Sequence, residues 1–271
     1  MAVREGKFWN CPWLHPKSKF LSFCRLMHDS CGSISTLDRS FVLHTFARAF
    51  SPEGTALAFP TIAGHLRPPA RVLLFGGVLR NAVLSAVVHK RFPIRDVDYV
   101  VFGLDSDDEL YEAFAAQHPR RNSFGGLKLD VDCVAVDVWR AELEQIIAGQ
   151  SPRATEPEEF LHCVTLTTDA VLYDPRAAIL YEQEFIRAIR DRTIDVGRDS
   201  CWIDPWVPYH VAHLAYVRQL TGFRISTRAR ARVRDAASAS VVEQAVRYLE
   251  TKGTCERPRD AVSSLVSEAR T

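Results

Sequence analysis

The chain is 271 residues long, with 34 Lys+Arg against 33 Asp+Glu, 47% hydrophobic and 25% charged residues, the make-up of a globular protein rather than a disordered or fibrous one. A chain of this length buries roughly three quarters of the surface its unfolded form exposes, so neither disulfides nor a metal is needed for folding. No stretch approaches the run of about 18 apolar residues that a membrane span requires, and the N-terminal residues lack the compact apolar core and cleavage site of a secretory signal, so no membrane partner and a cytoplasmic location are expected. The net charge of +1 hides an asymmetry: the 34 basic residues are 28 Arg and 6 Lys, and much of the Arg follows position 186, which leaves room for a local anion-binding face. The cysteines (Cys11, Cys24, Cys31, Cys133, Cys163, Cys201 and Cys255) are odd in number and widely spread, which fits reduced thiols better than a disulfide framework.

Residues 1–66 read as an irregular N-terminal extension containing Pro12, Pro16, Pro52 and Pro60 and a helix-like stretch at 41–50. Cys11-x-x-x-His15 and Cys24-x-x-x-His28, with Cys31 nearby, have the elements of a zinc site but neither a Cys-x-x-Cys pair nor finger spacing, so zinc is not expected. From 71 to about 196 strand-like apolar runs alternate with amphipathic helical windows, an α/β (α+β) pattern that predicts a small mixed sheet with flanking helices. A strand at 72–75 runs through Gly76-Gly77 into a helix at 78–88, and a second strand follows at 97–102. A helix is predicted over 107–118, with Asp105 or Ser106 suited to cap it. Strands at 126–129 and 133–139 flank the turn-prone Asp130-Val131-Asp132, and a helix at 141–148 follows. Beyond Asp204 the pattern is helical to the end, interrupted near Gly222, Gly253 and Pro258. The expected organisation is an extension at 1–66, an α/β head at 67–200 and a helical neck at 201–271.

The segment Arg95-Asp96-Val97-Asp98-Tyr99 carries the most chemistry. Strand alternation sets Asp96 and Asp98 on one face and Val97, Tyr99 and Val101 on the other. Two carboxylates on one face suit a hard divalent cation such as Mg²⁺ or Mn²⁺, completed by substrate phosphates. Asp-x-Asp alone equally describes a solvated strand end. Its context argues for more: Gly76-Gly77-Val78-Leu79-Arg80 lies upstream at a strand-to-helix junction, and a lone Asp137 sits in the later apolar run 134–139.

This order of Gly-Gly-x-x-Arg, Asp-x-Asp and a strand with a lone Asp resembles the nucleotidyltransferase head of the DNA polymerase β superfamily, and within it the head shared by bacterial poly(A) polymerases and tRNA CCA-adding enzymes. Residues 122–128 look like the hairpin before the third carboxylate, Arg140 and Glu142 match a trailing Arg-x-Glu, and 168–175 and 204–223 resemble a later Asn-Ala segment and the first neck helix. The likeness covers roughly 70–235. It implies that Asp96, Asp98 and Asp137 are catalytic and hold Mg²⁺ or Mn²⁺, and that Gly76, Gly77 and Arg80 bind an NTP. The implied reaction moves an NMP to an acceptor hydroxyl with release of pyrophosphate, the acceptor being an RNA 3′ end. Physically, glycines without Cβ let a triphosphate approach the backbone, amides opening the next helix bind its oxygens, and Arg80 adds a charge-assisted contact. A tight turn with an exposed Arg is the plainer reading of the same residues.

The departures are as informative. Asn81 stands where the family usually carries Asp, Val164-Thr165 where it carries Arg-Asp, and Asp169 where it carries Asn. Its base-reading Arg in the neck aligns with Val207, so CCA addition is not expected and base choice is open. Asp204 reads equally as a helix N-cap. Arg228, Arg230, Arg232 and Arg234 fall on opposite sides of a helix, which favours a solvated surface over an RNA-phosphate stripe. His210 and His213 lack an acidic partner at helical spacing and read as neck packing or surface. The length suffices for a head and a neck but is short of an RNA-gripping helical body. Two alternatives therefore stand beside RNA extension: the same chemistry on a protein or small-molecule hydroxyl, and a decayed head serving as a nucleotide- or RNA-binding module. Retention of all three carboxylates argues against decay, since clustered Asp residues repel without a cation.

Overall fold

The computed structural model describes residues 37–50, 59–88, 90, 92, 96–122, 125–131, 134–147, 156–197, 202, 204–253 and 255–271. The cysteine and histidine pairs at Cys11, His15, Cys24, His28 and Cys31 lie outside these residues.

Helix α1 (Arg39–Ala49) starts where the Asp38 carboxylate accepts the Phe41 N–H at 2.8 Å, an N-cap that satisfies a helix-end donor. Helix α2 (Phe59–His65) follows. Neither stands apart from the head: Phe46 and Phe50 pack their rings against Tyr173, with centroids 5.5 and 6.4 Å away, and Phe59 packs on Tyr99. The predicted strand and helix around the two glycines form as β1 (Arg71–Phe75) and α3 (Gly77–Val88). Strand β2 (Val97–Phe102) has the predicted bounds.

Helix α4 (Asp107–Ala113) takes Ser106 as its cap, the hydroxyl accepting from Glu109 N–H at 3.1 Å. It is shorter than predicted, because the chain tightens into a 3₁₀ turn at Ala115–Gln117 and His118 adopts a left-handed conformation. Strands β3 (Arg120–Arg121), β4 (Leu127–Val131) and β5 (Val134–Arg140) and helix α5 (Glu142–Ile147) come next. Helix α6 (Pro157–Cys163), the hairpin β6 (Val171–Asp174) and β7 (Ile179–Glu182), and helix α7 (Phe185–Arg190) were not anticipated.

Seven strands form one mixed sheet in the order β3-β4-β5-β2-β1-β6-β7. Every neighbouring pair is antiparallel except β2 and β5, which are parallel. Alternation along the central strands divides the core. Val72, Leu74, Val97, Tyr99, Val136 and Val138 face a large apolar cluster that also takes in α1, α3 and the C-terminal helices. Leu73, Phe75, Val100 and Leu172 face a smaller one closed by Phe160 and Leu161 of α6. A sheet buried on both faces needs such near-continuous apolar runs.

A two-stranded parallel ladder, β8 (Thr193–Ile194) with β9 (Arg224–Ile225), joins the head to the C-terminal helices. These are α8 (Val207–Thr221), α9 (Thr227–Ala236), α10 (Ala239–Lys252) and α11 (Pro258–Arg270), which end or begin at the predicted Gly222, Gly253 and Pro258. Asp204 does not cap α8. Trp206 holds the cap position, and Asp204 lies two residues earlier, exposed and too far back to serve the first-turn amides.

Candidate active site

A cavity of about 370 Å³ is lined by the carboxyl end of β1, the amino end of β2, Lys128 of β4 and Asp137 of β5, and by residues of the helices α8 and α10. Gly76, Gly77, Arg80, Asp96, Asp98 and Asp137, the six residues singled out from the sequence, all line it. The ladder explains why. Phe75, the last residue of β1, pairs with Asp98 of β2, and Asp98 pairs in turn with Asp137 of β5. In-register neighbours project from the same face, so three distant stretches of sequence meet on one face of the sheet's centre.

The glycine turn is specified by its backbone. Gly76 adopts φ +66°, the left-handed region that a side chain disfavours, and thereby turns the chain from β1 into the first turn of α3. Its carbonyl accepts from Arg80 N–H at 3.0 Å, so the helix begins at once. A Cβ on Gly77 would stand 3.4 Å from Arg80 Nη2, which places the guanidinium directly against the turn.

Arg80 is 2% exposed and its charge is taken inside the protein: Nη1 pairs with Asp169 Oδ1, and Nε donates to Asn81 Oδ1 at 3.1 Å. Asp169 receives a second partner from α8, His213 Nε2, at 2.7 Å from Oδ2. Burial alone would push the Asp169 carboxyl up. The Arg80 charge and the His213 hydrogen bond outweigh it and hold the group below the usual carboxylate range. The sequence reading of His213 as lacking an acidic partner is thus corrected: the acid lies in a 3₁₀ turn of the head, Thr167–Asp169, rather than on α8 itself.

His210, one helical turn earlier, is fully buried, stacks on Trp202 at 5.4 Å and lies 3.2 Å from Thr165 Oγ1 through Nδ1. Burial lowers its pKa to about 4, which keeps the ring neutral. Val164, Thr165 and Asp169, the positions that depart from the family pattern, line the cavity, and Thr165 and Asp169 bond to histidines of α8.

Asp137 sits in different company. Lys128 Nζ lies 3.2 Å from Oδ2, and Asn122 Nδ2 donates to Oδ1 at 3.3 Å. Asn122 is held by its own turn, accepting from Gly126 N–H at 3.0 Å. A Cβ on Gly126 would come within 2.9 Å of Trp139 Cβ and 3.1 Å of Asn122 Nδ2, so the close approach of this hairpin to β5 requires glycine. Among the described residues no group of three or more His, Cys, Asp or Glu side chains is arranged to hold a metal ion. The donors that suit one are Asp96 and Asp98, hard carboxylates beside the glycine turn.

Helices α8 and α10 supply an aromatic cluster. Tyr209 stacks on His213 with centroids 5.6 Å apart and planes 15° from parallel, and meets Tyr248 of α10 edge-on at 5.6 Å. Lys252 Nζ lies 5.5 Å from the Tyr248 ring centre. Sequence reasoning did not single out Tyr209 or Tyr248. Two tyrosines on different helices carry no spacing signal, and only the packing of α8 against α10 joins them. The Arg series on α9 lies elsewhere and is largely paired: Arg228 with Asp195, Arg230 with Glu268 and Arg234 with Asp235. No helix among the described residues is long and apolar enough to cross a membrane.

No family model matches the chain, and no curated protein matches it. Solved structures do. A CCA-adding enzyme in an apo form aligns with a TM-score of 0.59 at 16% identity, over 83% of this chain and 55% of that one. A tRNA nucleotidyltransferase complexed with a primer tRNA and an incoming ATP analogue aligns at 0.53 and 16% identity, over 74% of this chain and 58% of that one. A Thermotoga maritima CCA-adding enzyme complexed with tRNA aligns at 0.52 and 15% identity, over 77% and 53%. The chain therefore has the fold of these nucleotidyltransferases and spans little more than half the length of each.

Proposed function

We propose that this chain is a nucleotidyltransferase that moves an NMP from an NTP to an acceptor hydroxyl. The observation that carries the proposal is the meeting of the Gly76-Gly77 turn, Asp96 and Asp98 with the Tyr209, His213 and Tyr248 ring cluster in the lining of one cavity. Residues 67–200 would form the phosphate-binding head and 201–271 the neck against which the base packs. The triphosphate lies at the turn, where the missing Cβ atoms and the amides opening α3 receive its oxygens. Asp96 and Asp98 would hold a Mg²⁺ or Mn²⁺ ion. When bound, that ion neutralises phosphate charge and orients the α-phosphorus for in-line displacement.

Arg80 acts from below the turn: its guanidinium, fixed by Asp169, places positive charge behind Gly77 without spending its donors on solvent. The base stacks on the tyrosine wall, whose π-faces accept any base and so leave base choice to the rim. The acceptor hydroxyl gives its proton to an Asp137 carboxylate oxygen as its own oxygen bonds to the α-phosphorus. The bond from that phosphorus to the bridging oxygen breaks, and the electron pair leaves with pyrophosphate. RNA is the acceptor that the fold likeness favours, since two of the similar structures hold tRNA. The internal pairing of the α9 arginines favours a protein or small-molecule hydroxyl instead.

Incubation with labelled NTPs, Mg²⁺ or Mn²⁺, and RNA, protein and small-molecule acceptors tests the proposal. Transfer should occur to one class and fall on the order of 10³-fold in the Asp96→Asn, Asp98→Asn double variant with folding unchanged. Unchanged transfer in that variant, or nucleotide binding without transfer to any acceptor, would sink it; the latter is the outcome expected of a binding module.

A further inference from the structure

Resting on the reading of this cavity as a site of nucleotidyl transfer, we infer that the acceptor is a small neutral molecule carrying its hydroxyl on an aromatic or arylalkyl group, which Trp139, Leu143 and Ile147 hold beside Asp137. Asp137 and Trp139 project from the same face of β5, two residues apart. Register sets Asp98 and then Phe75 beside Asp137, and Val100 and then Leu73 beside Trp139. The row that carries the carboxylates therefore abuts a row that is apolar throughout. Trp139 meets Phe75 edge-on at 5.8 Å and is flanked by Gly126, where a Cβ would come within 2.9 Å of its own Cβ. Helix α5 follows β5 directly and brings Leu143 and Ile147, one turn apart, into the lining of the cavity. Leu143 Cδ1 stands 4.0 Å from where a Cβ on Gly125 would lie, so it borders the hairpin whose Asn122 donates to Asp137.

The charges of the strands at this end are already matched. Each basic residue of β3, β4 and β5 has a carboxylate partner: Arg120 has Asp130, Arg121 has Asp108, Lys128 has Asp137, and Arg140 has Asp107 and Glu142. A polyanionic strand passing Asp137 would have to displace those carboxylates to gain the phosphate contacts on which nucleic-acid affinity depends. Elsewhere in the lining Arg80 is held by Asp169, and Lys252 lies over Tyr248 on the side assigned to the nucleotide. A neutral arylalkyl group needs no cation and gains by leaving water against Trp139 and Leu143. From there its hydroxyl oxygen bonds to the α-phosphorus and its proton passes to an Asp137 carboxylate oxygen. The bond to the bridging oxygen breaks, pyrophosphate leaves with the electron pair, and the product is the NMP ester of the alcohol.

Comparison of acceptors on the full chain tests the inference. Transfer from labelled NTPs with Mg²⁺ or Mn²⁺ is measured to tryptophol, phenethyl alcohol, glycerol and a short oligoadenylate, while calorimetry with α,β-methylene analogues of the NTPs reads nucleotide binding separately. The two arylalkyl alcohols should exceed glycerol and the oligoadenylate by about tenfold or more in kcat/KM. Leu143→Gln, which keeps a good helix former on α5, should raise the KM for the arylalkyl alcohols about tenfold and leave their kcat and the nucleotide affinity unchanged. Equal or better use of glycerol or the oligoadenylate overturns the inference, as does an unchanged acceptor KM in Leu143→Gln or a loss that falls on nucleotide affinity instead; each leaves the NTP reading intact. Nucleotide binding with no transfer to either arylalkyl alcohol overturns it too. No bound nucleotide in the natural chain overturns the NTP reading and the inference with it. Should Leu143→Gln fail to fold by circular dichroism, the ranking of acceptors in the natural chain decides alone.

Discussion

Two aspartates that line this cavity each hold a basic partner and an amide or imidazole, yet their settings differ. Asp169 is enclosed, its carboxylate shared between Arg80 of the head and His213 of the neck, with 6% of its side chain exposed. Asp137 lies on the interior strand β5, 13% exposed, with a Lys128 partner that is 33% exposed and with Asn122. The same chemical pairing does different work in the two places. In the closed setting it joins two parts of the fold, because neither charge has water to turn to. In the open one it sets the charge of a surface that a ligand meets.

Breaking the enclosed cluster should have the largest effect on stability. Asp169→Ala strands the Arg80 guanidinium at 2% exposure, and urea denaturation should show a loss of about 3–5 kcal/mol. Adding Arg80→Met should recover part of it, since the uncompensated charge goes too. A loss below about 1 kcal/mol for Asp169→Ala would erase the distinction between the two clusters.

His210 sharpens the comparison through pH. Its pKa is about 4 in the folded chain against 6.5 unfolded, so the unfolded chain binds more protons between those values. The stabilisation is therefore present above pH 6.5 and lost as pH falls through 4, by about 3 kcal/mol in all. Asp169, also depressed, adds an acid limb below the ordinary carboxylate range. Thermal melts of His210→Gln should lose the part of the slope between pH 6.5 and 4 and keep the limb below it.

The smallest stability effect belongs to the open cluster. Asp137→Ala should change the unfolding free energy by no more than about 1 kcal/mol, since Lys128 regains water, while transfer activity falls by about 10²–10³-fold. A large destabilisation would place Asp137 with Asp169 as a structural residue.

Much of the head was legible because its strands are short apolar runs punctuated by glycine. β1, β2 and the Gly76-Gly77 junction stand at the bounds the pattern gives. The meeting of Asp98 with Asp137 was not legible from spacing alone, since it depends on a parallel pairing of strands separated by a helix and a hairpin. The same limit applies to His213, whose partner lies 44 residues away and outside its own helix. The β6–β7 hairpin escaped notice although Asp174 marks it: the carboxylate accepts from Arg176 N–H at 2.9 Å and Ala177 N–H at 3.0 Å, the local bonding that makes Asp a turn former. Residues 39–65 looked separate because a proline-rich stretch surrounds them, while the contact of Phe46 and Phe50 with Tyr173 is a matter of tertiary packing.

The cross-strand placement of Lys128 has a consequence for how this hairpin tolerates change in length. Lys128 and Leu127 point to opposite faces, so deleting one residue within β4 would turn lysine into the apolar layer and offer leucine to Asp137. Deleting two beyond Lys128 would restore the alternation but set lysine opposite Ala135, two residues from Asp137. Length variation inside this strand is thus filtered by parity for the core, since odd changes bring lysine into the apolar layer, while any change beyond Lys128 takes the cation from Asp137.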